Sequence, residues 1–447
     1  MRVLKIRIFY FFLVLFFLFL KTSGRVYGKN SWKIFLDNNF FYDSGSLDFL
    51  EGSSGIVLKK GVNAYQIFGG NFTRGKDFQI LISARAKELS FARDSEESKV
   101  ELFRSYIKFY FYKFSFEAGK DNVQVEPGEY GLLFSKNVPP YWLVKFQTER
   151  PLKFLGEWNF TIFQGWLREE RRDYSNPKLL GIRISWKPFS WLEIGGTRST
   201  LFGGDGRPGY TIWDYWQIIT AGKENEPGNK YDNDAYAGYD VSLYLPVKKI
   251  WKSARLLKIY FENAGTDLCA WWQPEDSYSE CGLLGFALMN NAAVAGILFK
   301  TKKNLFRIEY AETNTHWYIH HVYNYEGYTY QGLSIGYPYG RNMQSLFFKH
   351  TFWLNSSLRI TYKLGYYRAP FYRSSPPQEK VYYQEFYGEY FFKKHWKFGL
   401  FFKLTETKNY DTNPLPNQFA IVKEDKRVFI AGFSLSFHFG ENSEQER

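Results

Sequence analysis

The sequence predicts an all-β fold: a transmembrane antiparallel β-barrel of about 18 strands, with long extracellular loops and a short N-terminal periplasmic segment. Three observations carry this reading. The first is composition: of 447 residues, 45% are hydrophobic and 21% aromatic, with 45 Phe, 35 Tyr and 14 Trp, yet the mean hydropathy is slightly polar at −0.39. A polytopic helical membrane protein needs several apolar runs of about 20 residues, and the chain has one long apolar run, at its extreme N-terminus. The second is a period of two in hydrophobicity over many segments. The third is the lengths of the connections, which alternate between short and long along the chain, as in outer-membrane barrels with short periplasmic turns and long outer loops.

The N-terminal run reads as a secretory signal over residues 1–28. Arg2, Lys5 and Arg7 form a basic start, Ile8 to Leu20 an apolar core, and Val26-Tyr27-Gly28 a small-residue cleavage site. Its removal takes away five basic residues and no acid, so the formal charge falls from +13 to +8. The remaining protein is basic, which favours an acidic partner. Residues 29–52 show no clear period and read as a short, irregular periplasmic segment, and residues 53–439 as the barrel.

Strands are expected near 53–60 (weakly), 62–70, 77–87, 99–109, 112–119, 141–148, 157–167, 178–187, 190–198, 234–245, 253–263, 292–300, 304–313, 345–354, 357–366, 384–393 and 396–407, followed by a final strand. In the segment from Leu358 to Tyr366, Leu358, Ile360, Tyr362, Leu364 and Tyr366 alternate with Arg359, Thr361, Lys363 and Gly365. Successive strand side chains point to opposite faces, so this pattern gives one apolar and one polar wall, whereas helical spacing would mix the two sets. The final strand is the clearest: Phe429, Ala431, Phe433, Leu435, Phe437 and Phe439 share one face, opposite Gly432, Ser434, Ser436 and His438. A strand ending in Phe is what such barrels present to their assembly machinery. A polar tail, 440–447, follows it.

By strand phase, Arg85, Arg183, Lys258, Arg307, Arg359, Lys363, Lys397 and Lys403 face the lumen, with Glu117, Glu262 and Glu309 as the clear acids. Such an excess would attract an anionic chain, or would form an ion-pair network that stiffens the lumen. Cys269 and Cys281 lie close together in an exported chain and point to a disulfide, with two free thiols as the alternative. Rings stack on sugar faces and charged or amide groups bond hydroxyls. Asp205, Arg207, Tyr210, Trp213, Tyr215 and Trp216 in the longest loop, Trp271 and Trp272 between the cysteines, and Arg341 are therefore the candidate polysaccharide contacts; loop packing and the aromatic girdle at the membrane interface are their alternative roles. His316, His320 and His321 have helical ligand spacing but no HExxH context, so no metal is expected, nor any cofactor. His438 with Ser436 is the one pair that a membrane-edge hydrolase could use, and its lumen-facing phase argues against lipid access.

Several patches resemble the capsule assembly Wzi family: Gly119-Lys120-Asp121 with Pro127-Gly128 and Leu132 to Pro140, Trp191 to Thr197 leading into Phe202 to Pro208, Asn233 to Asp240, Glu309 to Thr313, and Gly332 to Gly340. The tryptophans that often precede the Pro-Gly are replaced around Gln124 to Glu126, and the N-terminal region is short for the periplasmic helical bundle of many members. The resemblance implies a non-catalytic outer-membrane lectin that holds capsular or exopolysaccharide at the surface of a Gram-negative-type cell; the basic balance of the chain points to an anionic one. It would act as a monomer in contact with outer-membrane lipid and the barrel assembly machinery, and without nucleic acid. A porin or substrate-selective channel for small anions is the alternative function.

Overall fold

The structure is a computed structural model that describes residues 31–75, 77–88, 99–220, 228–249, 251–270, 286–369, 378–393, 395–411 and 423–440. The expected signal peptide and the polar tail beyond Gly440 lie outside the described residues. Eighteen long strands, with the two-residue strand Leu152–Lys153 beside them, form one antiparallel sheet. The first nine are β1 (Ser31–Phe49), β2 (Val57–Arg74), β3 (Phe78–Glu88), β4 (Lys99–Phe111), β5 (Phe114–Asp121), β6 (Tyr141–Thr148), β7 (Glu157–Trp166), β8 (Lys178–Phe189) and β9 (Leu192–Phe202). The rest are β10 (Asp234–Leu245), β11 (Ala254–Gly265), β12 (Ala292–Thr301), β13 (Asn304–Thr313), β14 (Met343–Trp353), β15 (Leu358–Ala369), β16 (Glu379–Phe392), β17 (Trp396–Asp411) and β18 (Lys423–Gly440). Each pairs with its sequence neighbour. β1 also pairs with β18, from Lys33 opposite Gly440 to Asp43 opposite Ile430, and this pairing closes the barrel.

The period of two sorts the side chains. Ile184, Ile194, Ile259, Ile297, Ile308, Leu346, Leu400, Phe433 and Leu435 are exposed on the outer wall. Their alternating neighbours Glu117, Lys145, Arg183, Asp240, Glu262, Glu309, Lys363 and Lys403 are buried inside. An apolar exterior over a polar interior is the inverse of a water-soluble barrel and is the surface of a membrane-spanning one. Connections at the rim bearing both ends of the sheet are short, as at 112–113, 190–191 and 302–303, while the opposite rim carries 203–233, 266–291 and 314–342.

The first strands require a correction. Residues 31–49 are not an irregular periplasmic segment: they form β1, a full wall strand. Its alternation is blurred because the outward row Trp32, Ile34, Leu36, Asn38, Phe40 and Tyr42 includes a polar Asn38, while the inward row includes Phe35 and Phe41. The two strands expected at 53–60 and 62–70 are one strand, β2. The apparent break between them is a bulge: the β1–β2 register shifts between Asp43 and Leu47, opposite Gly61 at φ +103°, a backbone region that favours glycine. One strand was missed and one divided, so the number of strands is as expected.

Leu400 sits mid-wall between Gly388 of β16 and Phe433 of β18 and faces outward at 51% exposure. Leu400→Arg should destabilise the folded barrel in lipid by about 2–4 kcal/mol. Equilibrium denaturant unfolding from phospholipid vesicles measures this, and an unchanged midpoint would contradict the lipid-facing assignment.

Candidate functional site

Three loops from the long-connection rim, 50–56, 122–140 and 314–342, turn back into the lumen and pack as a plug. The core of the molecule lies there. Val123, Leu132, Leu133, Phe134, Val138, Trp317, Tyr318, Tyr323, Tyr328, Ile335 and Tyr337 are buried against wall residues Leu143, Phe163, Leu179, Tyr236, Val294 and Phe347. Several polar groups inside the plug bond to its own backbone. Ser54 N–H donates to Lys136 O at 2.7 Å and Ser135 N–H to Ile335 O at 2.9 Å. The Tyr328 hydroxyl donates to Leu133 O at 2.9 Å, and the Tyr318 hydroxyl to Leu132 O. Gly336 lies so close to Leu132 O that an added Cβ would sit 2.0 Å from it.

Carboxylates attach the plug to the wall. The turn at Pro127-Gly128 inserts between two wall acids: Gly128 N–H donates to Glu262, and Glu129 N–H to Glu309 at 2.7 Å. Glu126, where the sequence departs from the tryptophan-bearing family pattern, accepts Leu133 N–H at 2.7 Å and Phe134 N–H at 3.1 Å. Burial pushes its carboxyl up to about 7, against these donors and the Arg183 guanidinium, which act to lower it. At Glu51 burial also acts upward, but the ammonium groups of Lys403 and Lys363 prevail and hold the carboxyl down at about 2.

The basic lumen residues all face inward, as their strand phases predict, and most have acidic partners. Arg85 meets Glu101 at 2.5 Å, Arg183 meets Asp240 at 2.5 Å, and Arg307 meets Glu129 at 3.0 Å. Arg359 and Lys397 share Glu389; Lys363 and Lys403 share Glu385, and Lys403 also bonds Glu51. Lys258 lies over the Tyr244 and Tyr260 rings at 5.7 and 5.3 Å. Of these two readings, the geometry is that of the stiffening network. Asp240, Glu385 and Glu389, inward-facing like the three acids named from sequence, and Glu51 and Glu129 of the plug supply the negative charge that those three did not.

The loop candidates divide. Arg207 lies 5.3 and 5.7 Å from the Tyr174 and Tyr323 ring centres and donates to Asp232 O at 2.7 Å. Tyr210 donates to Lys230 O and to Asn233 Oδ1. Both fasten their own loop. Asp205 is exposed and accepts from Asn176 Nδ2 at 2.6 Å, and Arg341 is half-buried at the end of 314–342. Tyr215, Trp213 and Trp216 lie on helix α1 (Ile212–Thr220); Tyr215 donates to Gln164 at 2.7 Å, and Trp213 and Trp216 are 81% and 64% exposed. Trp271, Trp272 and Cys281 lie outside the described residues, as does the side chain of Cys269, so the disulfide does too.

His320 and His321 converge on Asp232, at 3.6 and 2.8 Å; the expected spacing partner His316 has its backbone N–H on Asn314 instead. Asp, His and His could bind a transition metal. His320 Nδ1, however, accepts the Val322 N–H at 3.2 Å, which leaves the neutral ring's proton on Nε2, directed at Asp232. The group is therefore read as a clamp between two loops. His438 Nε2 lies 3.2 Å from Asp37 Oδ1 on the lumen face.

Sequence reasoning missed the outward face of the plug. Arg171 ties its own loop to the plug through Gly327 O at 2.7 Å and Thr329 O at 3.0 Å, and pairs with Asp173 at 2.8 Å. Beside it Arg172, Asn324, Tyr325 and Gln331 are exposed, Arg172 3.9 Å from Glu326. The run Arg168 to Asp173 holds three basic and three acidic residues, the signal for this face in the sequence.

Gly336→Ala should undock the plug at a cost of about 1–3 kcal/mol, because backbone cannot yield as a side-chain tip can. Current in planar bilayers and protease cleavage within 122–140 should both rise while the barrel stays heat-modifiable. A variant as silent and as protected as the parent would show that this contact does not hold the plug.

The family model described as capsule assembly protein Wzi matches residues 46–418. A Klebsiella pneumoniae protein, an uncharacterized 55.8 kDa protein in the cps region, is 30% identical over 104 residues, 21% of this chain and 20% of that protein; the match spans about a fifth of either length. The solved structure of Escherichia coli Wzi, described as a carbohydrate-binding β-barrel involved in group 1 capsule assembly, is similar with a TM-score of 0.63 at 17% identity, covering 90% of this chain and 84% of that one. Pseudomonas aeruginosa OpdQ gives a TM-score of 0.53 at 11% identity over 92% and 98%. These structural likenesses are of fold. The family match extends from the first strand into the last long loop, across wall and plug alike, and the chain belongs to the capsule assembly protein Wzi family.

Proposed function

We propose that the protein is a non-catalytic outer-membrane lectin that binds an exported capsular or exopolysaccharide and helps to hold or organise it at the cell surface. The single observation that carries this reading is the plug. A lumen packed with buried tyrosines and closed by wall-to-loop carboxylate contacts is built to present a surface rather than to pass a solute. In this reading the N-terminal signal is removed on export, the assembly machinery inserts the barrel as a monomer, and the long-connection rim faces outward.

The polysaccharide then meets the outer face of the plug. Exposed Tyr325 offers a ring for a sugar face, and Arg172, Asn324, Gln331, Asp205 and Arg341 offer hydroxyl or acid partners. Trp271, Trp272 and a Cys269–Cys281 bridge, in the connection between β11 and β12, belong to the same reading. An acidic glycan suits the positive balance of the chain, and because the lumen cations are compensated, its charge would be met at the rim by residues such as Arg172. The channel alternative rests on the basic lumen lining, and the acids paired with most of those cations weaken it.

Arg172→Ala combined with Tyr325→Ala should leave the barrel heat-modifiable, since loop-tip residues contribute little to its stability, yet move polysaccharide from the cell surface to the medium. Residual binding should weaken as salt rises, exposed charges being screened within about 8 Å at physiological ionic strength. Full cell-bound polysaccharide in the double variant would remove this surface as the site. Full retention after deletion of the gene, together with steady current from the parent protein, would favour the channel.

A further inference from the structure

Helix α1 lies on the outside of the barrel. Inward phase on β8 belongs to Leu179, Gly181 and Arg183, so Lys178, Leu180, Ile182 and Ile184 point outward; the register places Gln164 opposite Leu180, and Lys178 opposite Phe202. Yet Leu180 is only 5% exposed and Phe202 is fully buried, whereas Ile184, on the same row, is 46% exposed. What covers them is α1: Ile218 packs with Leu180 and Phe202, Tyr215 bonds outward-facing Gln164, and outward-facing Arg198 donates to Ile218 O at 3.0 Å. The helix therefore turns Ile218 to the wall and leaves Ile212, Trp213 and Trp216, exposed by 78%, 81% and 64%, on its far side.

The height of the helix follows from the strand geometry. Trp158 and Trp186 stack at 5.4 Å beside the short turns and mark one edge of the apolar band. Leu180 is six residues further along β8. At about 3.3 Å per residue and a tilt of about 40°, that is about 15 Å, inside a band about 25 Å tall. Trp142, Trp166, Lys178 and Phe202 form one lateral row just above it, the position of the second girdle. The exposed face of α1 is thus continuous with the lipid-facing wall and level with its upper edge.

We infer that α1 is an interfacial helix that rests Ile212, Trp213 and Trp216 in the headgroup and acyl boundary of the outer leaflet, the occupant being a lipid surface rather than polysaccharide. Tryptophan favours that boundary because its ring is apolar and its N–H polar, and the far side of a helix apolar on both faces, level with the edge of the lipid-facing wall, suits such a surface. Lys178 beside Phe202, 6.0 Å from the ring centre, and Arg168 over Trp142 at 5.9 Å place cations where lipid phosphates would lie.

The test uses the full-length protein in phospholipid vesicles, with nitroxide labels at Trp213→Cys, Trp216→Cys, Ile184→Cys and Asp205→Cys in a background with Cys269 and Cys281 replaced by Ser. Labels at 213 and 216 should be relaxed by oxygen rather than by a water-soluble nickel chelate, as at 184, and unlike 205. Nickel accessibility at 213 and 216 equal to that at 205 would overturn the inference. So would immobilisation of these labels only on adding cell-derived polysaccharide, which would return them to glycan binding. As a label-free check, Trp213→Phe with Trp216→Phe should reduce tryptophan quenching by brominated lipid while leaving cell-bound polysaccharide unchanged; unreduced quenching would also count against it.

Discussion

Closure of the hydrogen-bond ladder between β1 and β18 is the constraint on which the rest of the structure depends. In hydrocarbon a backbone N–H or C=O without a partner costs several kcal/mol, and a sheet avoids this only by having no edge. The pairing from Lys33–Gly440 to Asp43–Ile430 removes both edges at once. Closure also fixes what each side chain meets. Every second residue is committed to lipid or to the lumen that the plug fills, and this is why the exterior carries Ile, Leu and Phe and the interior carries charge.

The interior charges then need partners. The guanidinium of Arg183 keeps its charge, and burying that charge in the filled lumen is costly without a partner; Asp240 supplies one with two hydrogen bonds. The plug uses the same chemistry from the opposite direction. It brings backbone N–H groups to wall carboxylates at Gly128 and Glu129, and its own acids, Glu51 and Glu129, to Lys403, Arg307 and Lys349. Tyrosine suits the space between, since each ring fills volume and hydroxyls such as those of Tyr318, Tyr323 and Tyr328 reach carbonyls.

Much of the wall was legible in the sequence because period two is imposed by the membrane itself. In β15, β17 and β18 the outward row is apolar and the inward row polar with few exceptions. It failed where that rule is relaxed: β1 carries Asn38 outward and Phe41 inward, and Gly61 breaks the run of β2 with a bulge that reads as a turn. The site was less legible. Arg207 and Tyr210 were identified as polar and aromatic loop residues, but only the three-dimensional path of the chain shows that their hydrogen-bonding groups are taken up by Asp232, Lys230 and Asn233. The plug segment from Glu126 to Asn137 mixes buried Leu132, Leu133 and Phe134 with Glu126, Glu129 and an exposed Lys136 and has no period, because its surroundings come from neighbours distant in sequence, and no local pattern encodes that. The outward row at Leu180 and Phe202 reads as lipid contact, although a helix from the following loop lies over it.

The bond between Glu51 and Lys403 joins residues separated by 352 positions, one just past the first strand and one in the last but one. Contact between positions so far apart in sequence is possible only because the sheet curls until its last strands lie beside its first, so the same closure that removes the edges of the sheet also brings this lysine to the plug. A change that shifts the seam therefore acts on the anchoring of the plug as well as on the wall.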